Sequence, residues 1–317
     1  SALQNDGFVK KISEYITKKV ADKLTGMCKT DKESYEKYWD DISPFIKFGC
    51  IKDHKFGEKM GDYILYKDIN GKYLTIQDLA AKKEDAVKET KESGTSAETS
   101  ETADAADSAS EETKEPEKTT VYYVTDEIQQ SQYINMFREA GLDAVILKHN
   151  IDSAFITHME QLRDDLKFQR IDADVTDTFK EETDEDALKE TADTLTEVFR
   201  KALGKDKLTV KVEKLKNANV SSMMTLSEEN RRMQEMMKMY GMYGMDPSMF
   251  GNEETLVLNA NNKLVQYVAA HKDSEHVPMI CEQLYDLAML AHKTLNPDEM
   301  TKFIARSNEI LMLLAMS

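Results

Sequence analysis

Between Glu84 and Lys118 the chain has no aromatic residue, no leucine and no isoleucine, and Val87 is its only large aliphatic. Such a stretch cannot bury enough apolar surface to offset the entropy of ordering it. It is therefore expected to be a disordered acidic loop, and the folded parts must form on either side of it. Twelve acidic and four basic residues give it close to half of the net charge of −17. An inert solvated insertion and an acidic docking segment both fit that composition.

A length of 317 residues suggests about two domains. The acidic balance argues against nucleic-acid binding, since nothing would neutralise a run of phosphates. The longest apolar runs are too short for a transmembrane helix, and the N-terminus does not resemble a signal peptide. The chain starts at Ser1 rather than methionine, which reads as a piece of a longer protein. Cys28, Cys50 and Cys281 are far apart and form no CxxC, so free thiols in a reducing cytoplasm are expected.

Before the acidic stretch the pattern is helical. Phe8, Ile12, Ile16, Val20 and Leu24 step by four residues along one stripe, with Lys10, Lys11, Lys18, Lys19 and Lys23 among the polar positions. Asp31 to Trp39 reads as a second helix, and Pro44 to Phe48 continues apolar. Asn70-Gly71 marks a hairpin-like turn between a segment ending at Tyr66 and Lys72 to Ile76. After the acidic stretch, short apolar runs (Val121–Val124, Ala144–Leu147, Phe168–Ile171) alternate with helical segments at Glu127–Ala140 and Ile151–Leu162. That alternation suggests a small parallel sheet flanked by helices. A boundary is marked by the acidic run Glu181 to Asp186, followed by a helix to Leu203 stopped at Gly204. Leu208–Val212 and Thr255–Leu258 are candidate strands.

The C-terminal part carries the strongest pattern. Asn296-Pro297-Asp298-Glu299 supplies an N-cap, a proline at the first helical position and an acid at the third. Phe303, Ile304, Ile310, Leu311 and Leu314 then share a broad apolar face. The preceding helix offers Ile280, Leu284, Leu287 and Leu290. Two such helices can pack on each other and leave surface for a second copy, as a four-helix bundle across a two-fold axis. A monomeric helical cap fits the same pattern.

Nine of the eighteen methionines fall between Met223 and Met249. Met233, Met236, Met237 and Tyr240 follow helical spacing, and Met242 and Tyr243 continue beyond Gly241. An amphipathic helix packed into a core is one reading. A flexible surface that accepts partners of differing shape is the other, favoured by the glycine and proline breaks that follow. No HExxH, no GxSxG elbow and no glycine-rich phosphate loop is present, so neither catalysis nor nucleotide binding has a motif to support it.

Several segments together resemble one family. Ser1-Ala2-Leu3-Gln4-Asn5, Val9-Lys10-Lys11-Ile12-Ser13 and Ile16-Thr17-Lys18-Lys19-Val20 look like the middle domain of the heat-shock protein 90 chaperones, of the bacterial high-temperature protein G type. Val121 to Thr125, Glu181 to Glu185 and the leucine-rich final helices match that family in the same order.

The resemblance implies an α/β (α+β) fold in four parts. A helical section of the middle domain spans 1–83, the acidic insertion 84–118 and a small αβα section 119–184. An α/β C-terminal domain spans 185–317 and ends in a helical dimerisation bundle. It implies a homodimeric, cytoplasmic stress-response chaperone that binds partly folded client proteins, with no nucleic-acid or membrane partner. In the full-length family ATP and magnesium drive a clamp. Here the nucleotide domain is expected to be absent, with no cofactor, no metal and no hydrolysis by this chain. Gln4 would match the glutamine of the ATPase loop. Trp39, Met233, Met236, Met237, Tyr240, Met242 and Tyr243 would contact clients. A dimeric scaffold for one dedicated partner is the alternative.

Overall fold

A computed structural model describes residues 7–81, 118–173, 179–181, 185–226, 232 and 254–316. The fold class is α/β, with helices and small sheets. The acidic stretch lies outside the described residues apart from Lys118. By internal packing the chain divides into residues 1–122 with 145–168, and 123–144 with 169–317. That division falls elsewhere than the sequence boundary at 184/185.

The first unit opens with α1 (Gly7–Thr30), α2 (Lys32–Lys52) and α3 (His54–Met60). Asp31 caps α2 by accepting from Ser34 N, and Asp53 closes α2 and caps α3 through Phe56 N. The sequence separates a helix ending near Trp39 from an apolar run after Pro44, yet one helix passes through the proline. Tyr35, Trp39, Ser43, Ile46, Lys47 and Cys50 form a continuous buried face. Burying a large apolar side chain stabilises by roughly 1.5–3 kcal/mol, so two or three of them offset the roughly 3 kcal/mol a proline costs inside a helix. On α1 the expected stripe is present, but Phe8, Ile12, Ile16 and Val20 are exposed and only Ala21 is buried.

Packed against α2 is α5, introduced below. Between them Lys47 Nζ lies 2.5 Å from Asp152 Oδ1, with both side chains buried, and Asp152 also accepts from His149 N at 2.9 Å. The hairpin of β1 (Tyr66–Lys67) and β2 (Tyr73–Leu74) is antiparallel and turns at Gly71, whose φ of 84° lies in the left-handed region. The buried Asp68 carboxylate accepts from Asn70 N and Lys72 N and so holds the turn.

The chain continues as β3 (Thr119–Val124), α4 (Ser131–Glu139), β4 (Val145–Ile146), α5 (Ile151–Leu162) and β5 (Leu166–Arg170), and the sheet order is β4-β3-β5. Thr119 N bonds Asp165 O, and Ile171 N bonds Tyr123 O. Both numbers rise together along the pair, so β3 and β5 run in the same direction. Helix α4 starts later than its periodicity suggests. Asp126 accepts from Ile128 N and Gln129 N, an Asx turn that delays the first helical residue.

In the second unit α6 (Glu185–Leu203) ends at Gly204, φ 62°, with Lys205 N bonded to Arg200 O. The sheet of β6 (Thr209–Glu213), β7 (Ser222–Thr225) and β8 (Thr255–Asn259) has the order β6-β8-β7. β8 is parallel to β6 and antiparallel to β7. Helices α7 (Lys263–Ala270), α8 (Val277–His292) and α9 (Pro297–Met316) follow. Leu195 and Phe199 of α6, Met224 and Leu256 of the sheet, and Cys281 and Leu284 of α8 share one core. Buried Asn259 is its polar hub. Its Oδ1 accepts from Leu215 N and Asn261 N, and its Nδ2 donates to the carbonyls of Asn217 and Val220.

Candidate functional site

The last two helices are joined by a short link ending in Asn296. Asn296 Oδ1 accepts from Glu299 N, and Glu299 Oε2 accepts from Asn296 N, each at 2.9 Å. This reciprocal pair satisfies two otherwise orphaned amides and fixes where α9 begins. About two and a half turns into α9, Arg306 reaches back to α8. Its Nε donates to Gln283 Oε1 at 2.9 Å, its Nη1 to Glu282 at 2.7 Å, and its Nη2 to Asp286. Gln283 in turn donates to Ser307 Oγ at 3.1 Å. The pitch of α9 on α8 is therefore set by a fork of charge-assisted hydrogen bonds.

Beyond that fork the character changes. Leu311, Met312, Leu313, Leu314, Ala315 and Met316 are all exposed, so the last turns of α9 are apolar around the whole circumference. An all-round apolar helix end is a segment made for burial. The expected interface residues divide accordingly. Leu284 sits in the core at 1% exposure, while Ile280, Leu290 and Phe303 pack against that core half-buried. Ile310 is half-buried. Leu287, Ile304, Leu311 and Leu314 are exposed at 43%, 53%, 62% and 68%. Met312, Leu313 and Met316 join this surface. A search for a single face passes over them, whereas the unbroken run of apolar residues at the end of the sequence points to them.

A second feature lies at the ends of β7 and β8. Asp172, 1% exposed, receives both arms of Arg170, and His292 Nδ1 lies 3.2 Å from its Oδ2. Burial alone would raise the Asp172 carboxyl, but the close approach of His292 and the hydrogen bonds from Arg170 outweigh it and hold the pKa at about 2. Burial pushes the Cys281 thiol up to about 12, so it is not a nucleophile. Among the described residues no group of three His, Cys, Asp or Glu side chains could hold a metal ion. Nor is any described helix long and apolar enough to cross a membrane.

The other expected site residues fall in two places. Gln4, Met233, Met236, Met237, Tyr240, Met242 and Tyr243 lie outside the described residues. Trp39 is in the core of the first unit at 3% exposure, its ring edge-on to Tyr35 with centroids 5.3 Å apart. Met223 and Met224, which begin the methionine cluster in sequence, are fully buried in β7.

The family model described as Hsp90 protein matches residues 1–88 and 94–316. The chain belongs to the Hsp90 family. Among curated proteins of that family it is 30% identical over 285 residues to the chaperone protein htpG of Bacteroides fragilis strain YCH46, covering 87% of this chain and 37% of that protein. It is 29% identical over 289 residues to chaperone protein HtpG of Bacteroides thetaiotaomicron, covering 88% and 38%. For chaperone protein HtpG of Porphyromonas gingivalis strain ATCC 33277 the identity is 27% over 299 residues, covering 92% and 40%. The chain thus spans well under half the length of these Hsp90-family relatives.

Proposed function

We propose that this chain is the dimerising, client-holding portion of an ATP-driven chaperone of the bacterial cytoplasm. The exposed apolar end of α9 is the observation that carries the reading. A second copy crossing α8 and α9 would cover Leu287, Ile304, Leu311 and Leu314 in a four-helix bundle. Each side chain fully buried there contributes roughly 1.5–3 kcal/mol, enough in sum for a stable dimer. The methionine-rich residues Met233, Met236, Met237, Tyr240, Met242 and Tyr243 are proposed to meet clients, because flexible thioethers adapt to unlike apolar partners. Trp39 is left out of that surface, since its burial leaves no face for a client.

In this reading residues 1–83 and 119–184 are middle domain and 185–317 the C-terminal domain. ATP and magnesium act in the full-length architecture, supplying the opening and closing of the clamp, and this chain on its own does not hydrolyse ATP.

The test is sedimentation equilibrium of the chain beside a Leu311→Glu/Leu314→Glu variant. Both substitutions leave α8 intact, which supplies Cys281 and Leu284 to the core. A dimer that becomes a folded monomer in the variant supports the reading. A wild-type chain that is already monomeric at micromolar concentration refutes it.

A further inference from the structure

Helix α2 has two unlike faces. One carries Tyr35, Trp39, Ile46 and Cys50 into the core of the first unit. The other shows Tyr38, Phe45 and Phe48 to solvent, at 49%, 78% and 51% exposure. Steps of seven and three residues bring these rings onto one side of the helix, as a ridge about 15 Å long. Lysines flank it. Lys37 Nζ lies 5.7 Å from the centroid of the Tyr38 ring, and Lys52 Nζ lies 5.6 Å from that of Phe48. Asp41 is the exposed carboxylate on the same side, while Asp40 is turned to Lys67 at 3.2 Å. The charge around the ridge is opposite to that of the chain. Residues 7–60 contain twelve lysines and nine acidic residues, in a protein whose net charge is −17.

Single exposed apolar residues are ordinary on a protein surface. Here three aromatics share one side of one helix, and two of them carry an ammonium group over the ring. Such a lysine can still take a carboxylate while the ring beneath it offers apolar area. The helix is also a rigid mount. Its inner face is fixed by the Tyr35–Trp39 ring contact and by the buried Lys47–Asp152 pair. A ridge already held in place leaves most of the ordering cost of binding with the partner.

We propose that the ridge of Tyr38, Phe45 and Phe48 docks an acidic segment of a partner protein, one that intersperses carboxylates with leucine or aromatic side chains. The apolar side chains of that segment pack on the three rings, and its carboxylates pair with Lys37 and Lys52. Charge complementarity selects this occupant. A second copy would set two lysine-flanked ridges against each other, like charge on like charge. The surface uses none of the residues assigned above to the dimer or to clients, so it stands or falls separately from that reading.

The test uses the full chain and two fluorescein-labelled peptides, followed by fluorescence anisotropy. One is two repeats of Glu-Leu-Phe-Glu-Glu-Leu-Glu, and the other has lysine in place of every glutamate. The glutamate peptide should bind, and raising sodium chloride from about 50 to about 300 mM should weaken it severalfold. Phe45→Ser/Phe48→Ser should lower its affinity about tenfold, and Lys37→Glu/Lys52→Glu about fivefold. Both variants should keep the wild-type urea midpoint, because the substituted side chains are not in the core. Should one pair of substitutions lower that midpoint, the other pair decides. A glutamate peptide that binds both variants as well as the wild-type chain overturns the proposal, as does one that fails to bind the wild-type chain. Equal binding of the lysine peptide overturns it too, since plain apolar adhesion then suffices. A sedimentation mass that falls in Phe45→Ser/Phe48→Ser gives the ridge to a second copy and likewise overturns it.

Discussion

Arg306 on α9 places its Nη1 2.7 Å from Glu282 Oε2 on α8, and only 9% of Arg306 is exposed. The guanidinium also serves Gln283 and Asp286, so one side chain ties the two terminal helices together. Arg306→Leu should lower stability by about 2 kcal/mol in urea titrations. That is less than the roughly 3–5 kcal/mol for fully buried pairs, because the stranded Glu282 is 43% exposed and can regain water. Replacing Arg306, Glu282 and Asp286 together with leucine should recover most of that loss. A single variant as stable as wild type would mean the fork does not hold α9.

Asp172 makes stability depend on acid pH. Its folded pKa of about 2 lies below the roughly 3.9 of an unfolded aspartate. The unfolded state therefore binds the proton first as pH falls. The contribution is fully present above about pH 4 and is lost progressively as pH falls towards about 2, amounting to on the order of 2 kcal/mol. Asp172→Asn should flatten that part of the stability–pH curve, measured by urea unfolding at a series of pH values. A mutant curve parallel to wild type below pH 4 would contradict it.

Asn259→Ala removes four hydrogen bonds from a residue with no exposed surface. Leu215 N and the Val220 carbonyl are then left in the core without that partner, at about 1–3 kcal/mol each. A loss of about 2–6 kcal/mol is expected, read as a large drop in melting temperature.

Trp39 is the only tryptophan and lies in the first unit. Its fluorescence should be poorly quenched by iodide in the native chain and should report the unfolding of that unit alone. Addition of an unfolded protein should leave it unchanged. A spectral shift on addition would return Trp39 to the client surface.

Much of the fold could be read because its signals are local. α5 occupies the residues its apolar pattern marks, α6 stops at the glycine that its C-terminus requires, and α9 begins at the cap formed by Asn296 and Glu299. Signals that depend on distant partners were hidden. β7 is buried on both faces, so it shows no alternation, and Met223 and Met224 merge by composition with the methionines that follow. Helix α2 survives Pro44 only because of what packs on Trp39 and Ile46. Lys47 and Asp152 are 105 residues apart and nothing local pairs them. For the apolar terminal face, the helices were legible, but which side of each faces the core was not. Leu284 and Leu287 carry the same residue type on one helix and are 1% and 43% exposed.

The pairing of Thr225 with Thr255 also bears on how such a chain can change over generations. A ladder closed at that point tolerates almost any length or composition between its two ends, because extra residues there raise the loop-closure cost only logarithmically. Insertions, deletions and wholesale exchange of the intervening stretch leave the strands, and the helices packed on them, under separate selection. The length and composition between the two strands can thus change while the ladder and the helices packed on it stay the same.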